Sequence, residues 1–256
     1  MKILVCIKQV PDMESKFRIG PDGLWYDRSD LAWRMNEYDE YAVEQAVQVK
    51  EQAGADVTVL SIGPEQVKET MKKALAMGCD RGVHIPDNDS HLLDSFTIAA
   101  TIAEFARDKD FDLVLTGMQS QDRGSAQVGA MVAELLDIPA LTTVVDFDLA
   151  GRILTAKREL EGGVRAKVAT SLPALVTCQL GLNTPRYPTL PNIMKAKKKE
   201  LLTIAATETG KETALLQTLR MAFPEKKGGG LFLEGEVADI ADRLIGILKE
   251  KTAVLA

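Results

Sequence analysis

Short β-branched runs alternate with helix-periodic stretches through about the first 140 residues, and that alternation constrains the fold more than any other feature. Lys2–Ile7 reads as a buried strand. Val57, Val59, Leu60 and Ile62 make a second, closed by Gly63-Pro64, while Gly82–Ile85 is a third and Leu113–Thr116 a fourth, closed by Gly117. Between them Ala42, Ala46, Val49 and Ala53 recur at helical spacing up to Gly54, which supplies a C-terminal stop. Asn36 is placed to cap this helix, with Asp39 as the acid of a short capping box. Further helices are predicted over Glu65–Met77, ending at Gly78, and over about Leu92–Arg107. Strands separated by helices pair in parallel through right-handed crossovers, so the predicted class is α/β, a doubly wound and mostly parallel sheet.

The middle of the chain changes character. Thr142–Leu149, Ile153–Glu159 and Val164–Thr170 read as a β meander, turning at Ala150-Gly151 and Glu161-Gly162-Gly163, and Ala174–Cys178 returns to the core. From Leu182 to Glu200 there are three prolines and no helical period, which predicts a long loop; such loops tend to be functional or disordered. Gly228-Gly229-Gly230 reads as a joint, and Val237, Ile240, Leu244, Ile247 and Leu248 form the stripe of an amphipathic terminal helix. The expected division is a nucleotide-binding domain over residues 1–200, carrying a loop at 182–200, and an arm with its helix over 201–256.

Composition removes several functions. A net charge of -6 argues against nucleic-acid binding by bulk charge. Cys6, Cys79 and Cys178 lie far apart in apolar surroundings and read as packed thiols; no zinc-ligand spacing is present. A catalytic cysteine has only His84 and His91 to draw on as a base. The chain opens on a strand rather than a leader, and its most apolar long stretch, Ala126–Val145, is interrupted by polar residues and Pro139, so a soluble cytoplasmic protein without membrane insertion is expected.

In an open α/β sheet, ligands bind at the carboxyl ends of strands. The candidates are Cys6–Val10, Ile62-Gly63, Ile85-Pro86 and Gly117–Gly129. The last is richest: Gly117, Met118, Gln119, Ser120, Gln121, Asp122, Arg123, Gly124 and Ser125 lead into a helix expected near Ala126. Donors at a helix N-terminus suit a phosphate, although an ordinary polar loop has the same composition. The loop is neither GxGxxG nor a Walker A motif. No paired carboxylates or activated nucleophile converge there, which points to a binder without bond-making chemistry of its own. Farther on, Tyr187, Leu190, Ile193 and Met194 precede the run Lys195-Ala196-Lys197-Lys198-Lys199. An apolar anchor with a basic rim suits a docking element; packing on its own domain is the alternative.

The segment Gln179-Leu180-Gly181-Leu182-Asn183-Thr184-Pro185-Arg186-Tyr187-Pro188-Thr189-Leu190-Pro191-Asn192-Ile193-Met194-Lys195-Ala196-Lys197 resembles the signature loop of the electron transfer flavoprotein beta subunit. The opening Lys2–Pro11, the stretch Asn36–Glu44 and Arg158-Glu159-Leu160-Glu161-Gly162-Gly163 resemble that family's other motifs, in the same order. The resemblance implies a Rossmann- or flavodoxin-like subunit of a heterodimer, contacting a larger alpha subunit through its C-terminal arm. The alpha chain would hold most of a shared FAD, and this chain would bury a structural AMP. Carried over by motif, the nucleotide would contact Cys6, Asn36, Glu37, Tyr38, Asp39, Ile62 and the run Gly117 to Ser125 with Ala126, Gln127 and Val128. Leu190, with Tyr187, Ile193, Met194 and Lys195, would dock on flavin-containing dehydrogenases, and electrons would pass on to a membrane-bound quinone oxidoreductase. The implied role is an electron carrier subunit without a substrate reaction of its own.

One departure bears on the cofactor. Members that bifurcate electrons hold a second FAD in beta and often read Asp-Gly-Asp-Thr-Ala-Gln-Val-Gly where this chain has Asp122-Arg123-Gly124-Ser125-Ala126-Gln127-Val128-Gly129, and Asn-Pro where it has Asn36-Glu37. AMP is therefore expected, with a second FAD as the alternative and Arg123 as a cation near the phosphates. A stand-alone ATP-binding protein of the stress type is the competing class, and an enzyme with Cys6 or Asp122 as nucleophile a third.

Overall fold

The computed structural model describes residues 1–205, 214–225 and 228–252. Residues 206–213, 226–227 and 253–256, parts of the arm expected over 201–256, lie outside the described residues. The elements are β1 (Lys2–Cys6), β2 (Gln9–Pro11), β3 (Trp33–Met35), α1 (Glu37–Ala53), β4 (Asp56–Gly63), α2 (Val67–Met77), β5 (Arg81–Pro86), α3 (Ser95–Ala106), β6 (Leu113–Gly117) and α4 (Val128–Leu135). They continue with β7 (Ala140–Ala150), β8 (Ile153–Glu159), β9 (Arg165–Ser171), β10 (Ala174–Cys178), α5 (Leu190–Ala196), β11 (Leu201–Thr203) and α6 (Val237–Lys251).

Nine strands form one sheet in the order β11-β5-β4-β1-β6-β10-β7-β8-β9. Pairing is parallel from β11 through β7 and antiparallel over β7-β8-β9, which is the expected doubly wound core with its meander. Alternation along β1 shows why the sheet needs helices on both faces. Ile3 and Val5 pack with Ala42, Val43 and Ala46 of α1 and Met71 and Leu75 of α2, whereas Leu4 and Cys6 pack with Ile102 and Phe105 of α3 and Val132 of α4. Full burial of a side chain such as Ile3 or Leu4 contributes roughly 1.5–3 kcal/mol. From β1 the chain moves out through β4 and β5, then returns to β6 on the other side of β1, so a crevice opens at the carboxyl ends of β1 and β6.

Helix ends follow the sequence in some places and depart from it in others. Gly54 ends α1 in the left-handed conformation (φ 71°), its N–H donating to the Lys50 carbonyl. Asn36 stands at the N-cap position of α1, but its side chain makes no cap hydrogen bond. The helix expected near Ala126 starts two residues later, because Ala126 takes a positive φ of 53°. The expected loop at 182–200 contains α5, capped by Thr189, whose Oγ1 accepts from the Asn192 N–H at 3.4 Å. Pro191 falls in the first turn, where its missing N–H costs nothing. A separate compact unit, residues 222–256, contains α6, no residue of which is buried.

Candidate functional site at the beta one to beta six crevice

The crevice is built from chain segments that are distant in sequence. Just past β1, the Lys8 N–H donates to Asp39 Oδ2 at 2.7 Å, and the Gly117 N–H at the end of β6 donates to Asp39 Oδ1 at 3.1 Å. One buried carboxyl thus ties the two diverging strands together from the first turn of α1. Burial pushes its pKa up to about 7, against the hydrogen bonds from Lys8, Asn36 and Gly117 that favour the carboxylate. A Cβ on residue 117 would lie 2.2 Å from Asp39 Oδ1 and 2.8 Å from Tyr38 Cβ, so only glycine lets α1 approach this closely.

The side chains around Asp39 brace the loop above it. Asn36 Nδ2 donates to the Gln119 carbonyl at 2.8 Å, and Asn36 Oδ1 accepts from the Gln121 N–H at 2.9 Å. Gln121 Nε2 donates to Glu37 Oε2 at 2.9 Å, and Gln119 Nε2 donates to the Tyr38 hydroxyl at 3.1 Å. Lys8 Nζ donates to both oxygens of Asp122 at 2.7 Å, and the Asp122 side chain is 3% exposed. Its charge is therefore paired within the loop. Burial lowers the Lys8 pKa despite the opposing pull of Asp122.

Above this braced loop lies a cavity of about 170 Å³. Its size is close to the ~150 Å³ that admits a small planar ring. Cys6, Asn36, Asp39, Ile62, Gly117, Met118, Gln119, Ser120, Asp122, Arg123, Ser125, Ala126, Gln127 and Val128 line it. Glu37, Tyr38, Gln121 and Gly124 do not; the first three are braces instead. Ile85 and Pro86, at another candidate strand end, are also absent from the lining. Leu60, Ile62 and Ile98 give the cavity apolar wall, while Ser61, Ser90, Ser95 and Ser125 bring hydroxyls. The first turn of α4 opens onto it, with N–H groups that have no intrahelical acceptor.

Sequence reasoning missed the opposite wall. Trp25, Tyr26 and Arg28 come from the excursion between β2 and β3, Trp33 from the start of β3, and His91, Leu93 and Asp94 from the segment before α3. One signal was available: both tryptophans of the chain fall within nine residues of each other, in a stretch with no period. Arg123 bridges one side of the cavity. Its guanidinium donates to the carbonyls of Leu93 (2.8 Å) and His91 and stacks 4.7 Å from the centre of the Trp25 ring. Arg28 stacks 5.2 Å from the Trp33 ring and approaches His91 Nδ1 at 3.4 Å. Burial first, then Arg28, keeps the His91 pKa below the usual imidazole range. Asp94 caps α3 through the Thr97 N–H at 2.8 Å and accepts from the N–H groups of Leu215 (2.7 Å) and Leu216 (2.9 Å). Burial opposes its charge, but these amides outweigh it and hold the carboxyl below the usual range.

Burial disfavours the thiolate at all three cysteines. All three are free and buried, and burial pushes the thiols of Cys6 and Cys178 far up and that of Cys79 to about 12. Among the described residues no three His, Cys, Asp or Glu side chains gather as a metal-ligand set, and no helix is long and apolar enough to cross a membrane. At the other expected site, Tyr187, Leu190 and Met194 are 92%, 79% and 61% exposed, with Ile193 and Lys195 beside them on α5. The basic run is not all solvated rim, since Lys199 Nζ donates to the carbonyls of Leu75 (2.9 Å) and Cys79 (2.5 Å) at the end of α2.

Comparison with known proteins gives one consistent result. The family described as "Electron transfer flavoprotein domain" matches residues 23–209. A protein of Bacillus subtilis (strain 168) named "Electron transfer flavoprotein subunit beta" is 40% identical over 260 residues, covering 100% of both chains. Proteins of the same name from Homo sapiens and Methylophilus methylotrophus are 37% and 33% identical, over 98% of this chain and 97% and 98% of their own.

Proposed function

Because this chain belongs to the electron transfer flavoprotein beta-subunit family, a family of electron carrier subunits that pair with an alpha subunit, we propose that its crevice holds a structural AMP while the pair carries a shared FAD. The observation that supports the AMP reading is the Arg123 bridge across one side of the cavity. Arg123 ties the phosphate-loop side to the His91–Leu93 carbonyls, which favours a mononucleotide over a longer ligand.

The residues present fit such a ligand. Leu60, Ile62 and Ile98 offer apolar surface for a base, and Ser125 with the amides at the start of α4 offers donors for one phosphate. Asn36 and Asp39 hold residues 117–121, the stretch that leads to those donors, through the Gly117 and Gln121 N–H groups. FAD, when bound, supplies the ring that accepts and releases electrons. In this reading the chain performs no substrate reaction of its own, works in the cytoplasm, and uses Leu190 and its neighbours to dock on flavin-containing dehydrogenases. A membrane-bound quinone oxidoreductase takes the electrons onward.

A second FAD is the other reading, favoured by Arg28, a second cation on the cavity wall that pairs with no carboxylate among the described residues. Acid release of nucleotides from the purified heterodimer, counted by chromatography, decides between them. One AMP and one FAD per pair are expected; two FAD and no AMP overturn the reading. For docking, Leu190→Ala is expected to slow reduction by a dehydrogenase while leaving nucleotide content unchanged.

A further inference from the structure

The exposed apolar face of α5 stands on a chain segment clamped at both ends. On the far side is Lys199, bound to two carbonyls at the end of α2. On the near side is Arg186, immediately before Tyr187. Its Nε and Nη2 donate to Glu44 Oε2 (2.8 Å) and Oε1 (3.0 Å), and its Nη1 and Nη2 to Glu51 Oε1 (2.5 Å) and Oε2 (2.9 Å). Its backbone N–H adds a bond to Glu44 Oε2 at 3.1 Å. Glu44 and Glu51 are seven residues apart on α1, so two turns of helix present both carboxylates on one face.

Two paired carboxylates on one guanidinium fix its plane as well as its place, which a lysine ammonium would not do. Glu44 is itself held: its side chain is 4% exposed, and its Oε1 accepts from Gln48 Nε2 at 2.9 Å. Three residues earlier, Asn183 Nδ2 donates to the Tyr41 carbonyl (3.0 Å) and to Gln45 Oε1 (3.2 Å), also on α1. The irregular chain after β10 is therefore moored to α1 just before its apolar residues turn outward. A loop held in its bound shape before encounter loses less conformational entropy on docking.

We propose that Arg186 is a positioning residue for partner recognition: through Glu44 and Glu51 it holds residues 187–194 in the shape that docks, without itself touching the partner. This rests on the docking reading of Leu190. The test uses the flavin-loaded heterodimer and a purified flavin dehydrogenase that reduces the wild-type pair, with KM and kcat measured against the heterodimer. Arg186→Ala and the double variant Glu44→Gln/Glu51→Gln are both expected to raise KM on the order of tenfold, with little change in kcat. The carboxamide pair keeps the Arg186 cation but removes two negative charges, so KM is compared at high ionic strength, where long-range steering is screened. Glu51→Gln alone, at an exposed carboxylate, gives a smaller rise in the same direction and serves if the buried substitution weakens folding. Backbone hydrogen exchange over residues 182–189 is expected to accelerate in each variant, while dithionite reduces all of them fully.

The outcomes separate the two ideas. A raised KM in Arg186→Ala with an unchanged KM in both carboxamide variants means that Arg186 meets the partner directly, which overturns positioning. An unchanged KM in all of these, with a raised KM in Leu190→Ala, also overturns positioning but leaves docking standing. An unchanged KM in Leu190→Ala as well removes the docking reading and this inference with it.

Discussion

A carboxyl group buried between two strand ends has to settle its protonation state, and for Asp39 burial dominates, lifting its pKa to about 7. In the unfolded chain an aspartate titrates near ~3.9. Between about pH 4 and 7, then, the folded chain keeps a proton that the unfolded chain has released. The stabilising contribution is fully present below about pH 4 and is lost as pH rises toward 7. Carboxyls held low, such as Glu44 and Asp94, work in the opposite direction, so the useful quantity is a difference between two proteins. The stability of wild type relative to Asp39→Asn, from urea midpoints, is expected to fall between pH 4 and 7 and level off above. A difference that stays flat or rises across that window removes the buried proton from the account. The thiols give a second check at this scale. Burial lifts all three well above the usual range, so iodoacetamide at pH 8 is expected to leave the native chain unlabelled under conditions that label the urea-unfolded chain three times. Mass spectrometry reads the count, and native labelling of Cys6 would bring a reactive thiol back into consideration.

Between elements, contact distance decides. α1 approaches β6 so closely that a methyl on residue 117 would lie 2.2 Å from Asp39 Oδ1, and one on residue 129 would lie 2.6 Å from Thr177 Cγ2 on β10. Gly117→Ala is expected to cost about 1–3 kcal/mol by overpacking and to lower the nucleotide retained per chain. Wild-type values of both would mean that the loop is not wedged against α1. Much of this architecture was legible in the sequence: the parallel pairing of the core strands, the stop at Gly54 and the end of β6 at Gly117 all follow from local period and turn chemistry. What escaped is non-local or too short. Asn36 has the right neighbours for a cap, yet its side chain is taken by Gln119 and Gln121, more than eighty residues away. α5 has seven residues, too few to show a period, and three prolines around it read as breakers although Pro191 sits in its first turn. The Trp25–Arg28 wall becomes a site only when Arg123 and His91 fold onto it from elsewhere.

At the scale of the whole molecule, the cavity and the segment at 214–221 share a residue. Asp94 lines the cavity and accepts from the amides of Leu215 and Leu216, and the Met221 N–H donates to Gly23 in the excursion that supplies Trp25 and Arg28. A ligand that binds only the folded chain stabilises it by mass action, about 2.7 kcal/mol at a hundredfold excess over Kd. For a chain of this size that corresponds to a shift of roughly 5–10 °C in Tm. The segment at 214–221 takes part in that stabilisation because cavity walls form its anchors. Stripping the nucleotide from the purified heterodimer is therefore expected to lower Tm by that amount and to accelerate hydrogen exchange at Leu215 and Leu216. In Asp94→Asn the second effect is expected to shrink, since an amide accepts less strongly than a carboxylate and exchange there is already fast. A Tm that falls on stripping while exchange at Leu215 and Leu216 stays the same would leave the cavity stabilised by its ligand but uncoupled from the segment at 214–221. The stretch of chain leading to residue 222 would then be held by Asp94 and Gly23 whether or not anything occupies the crevice.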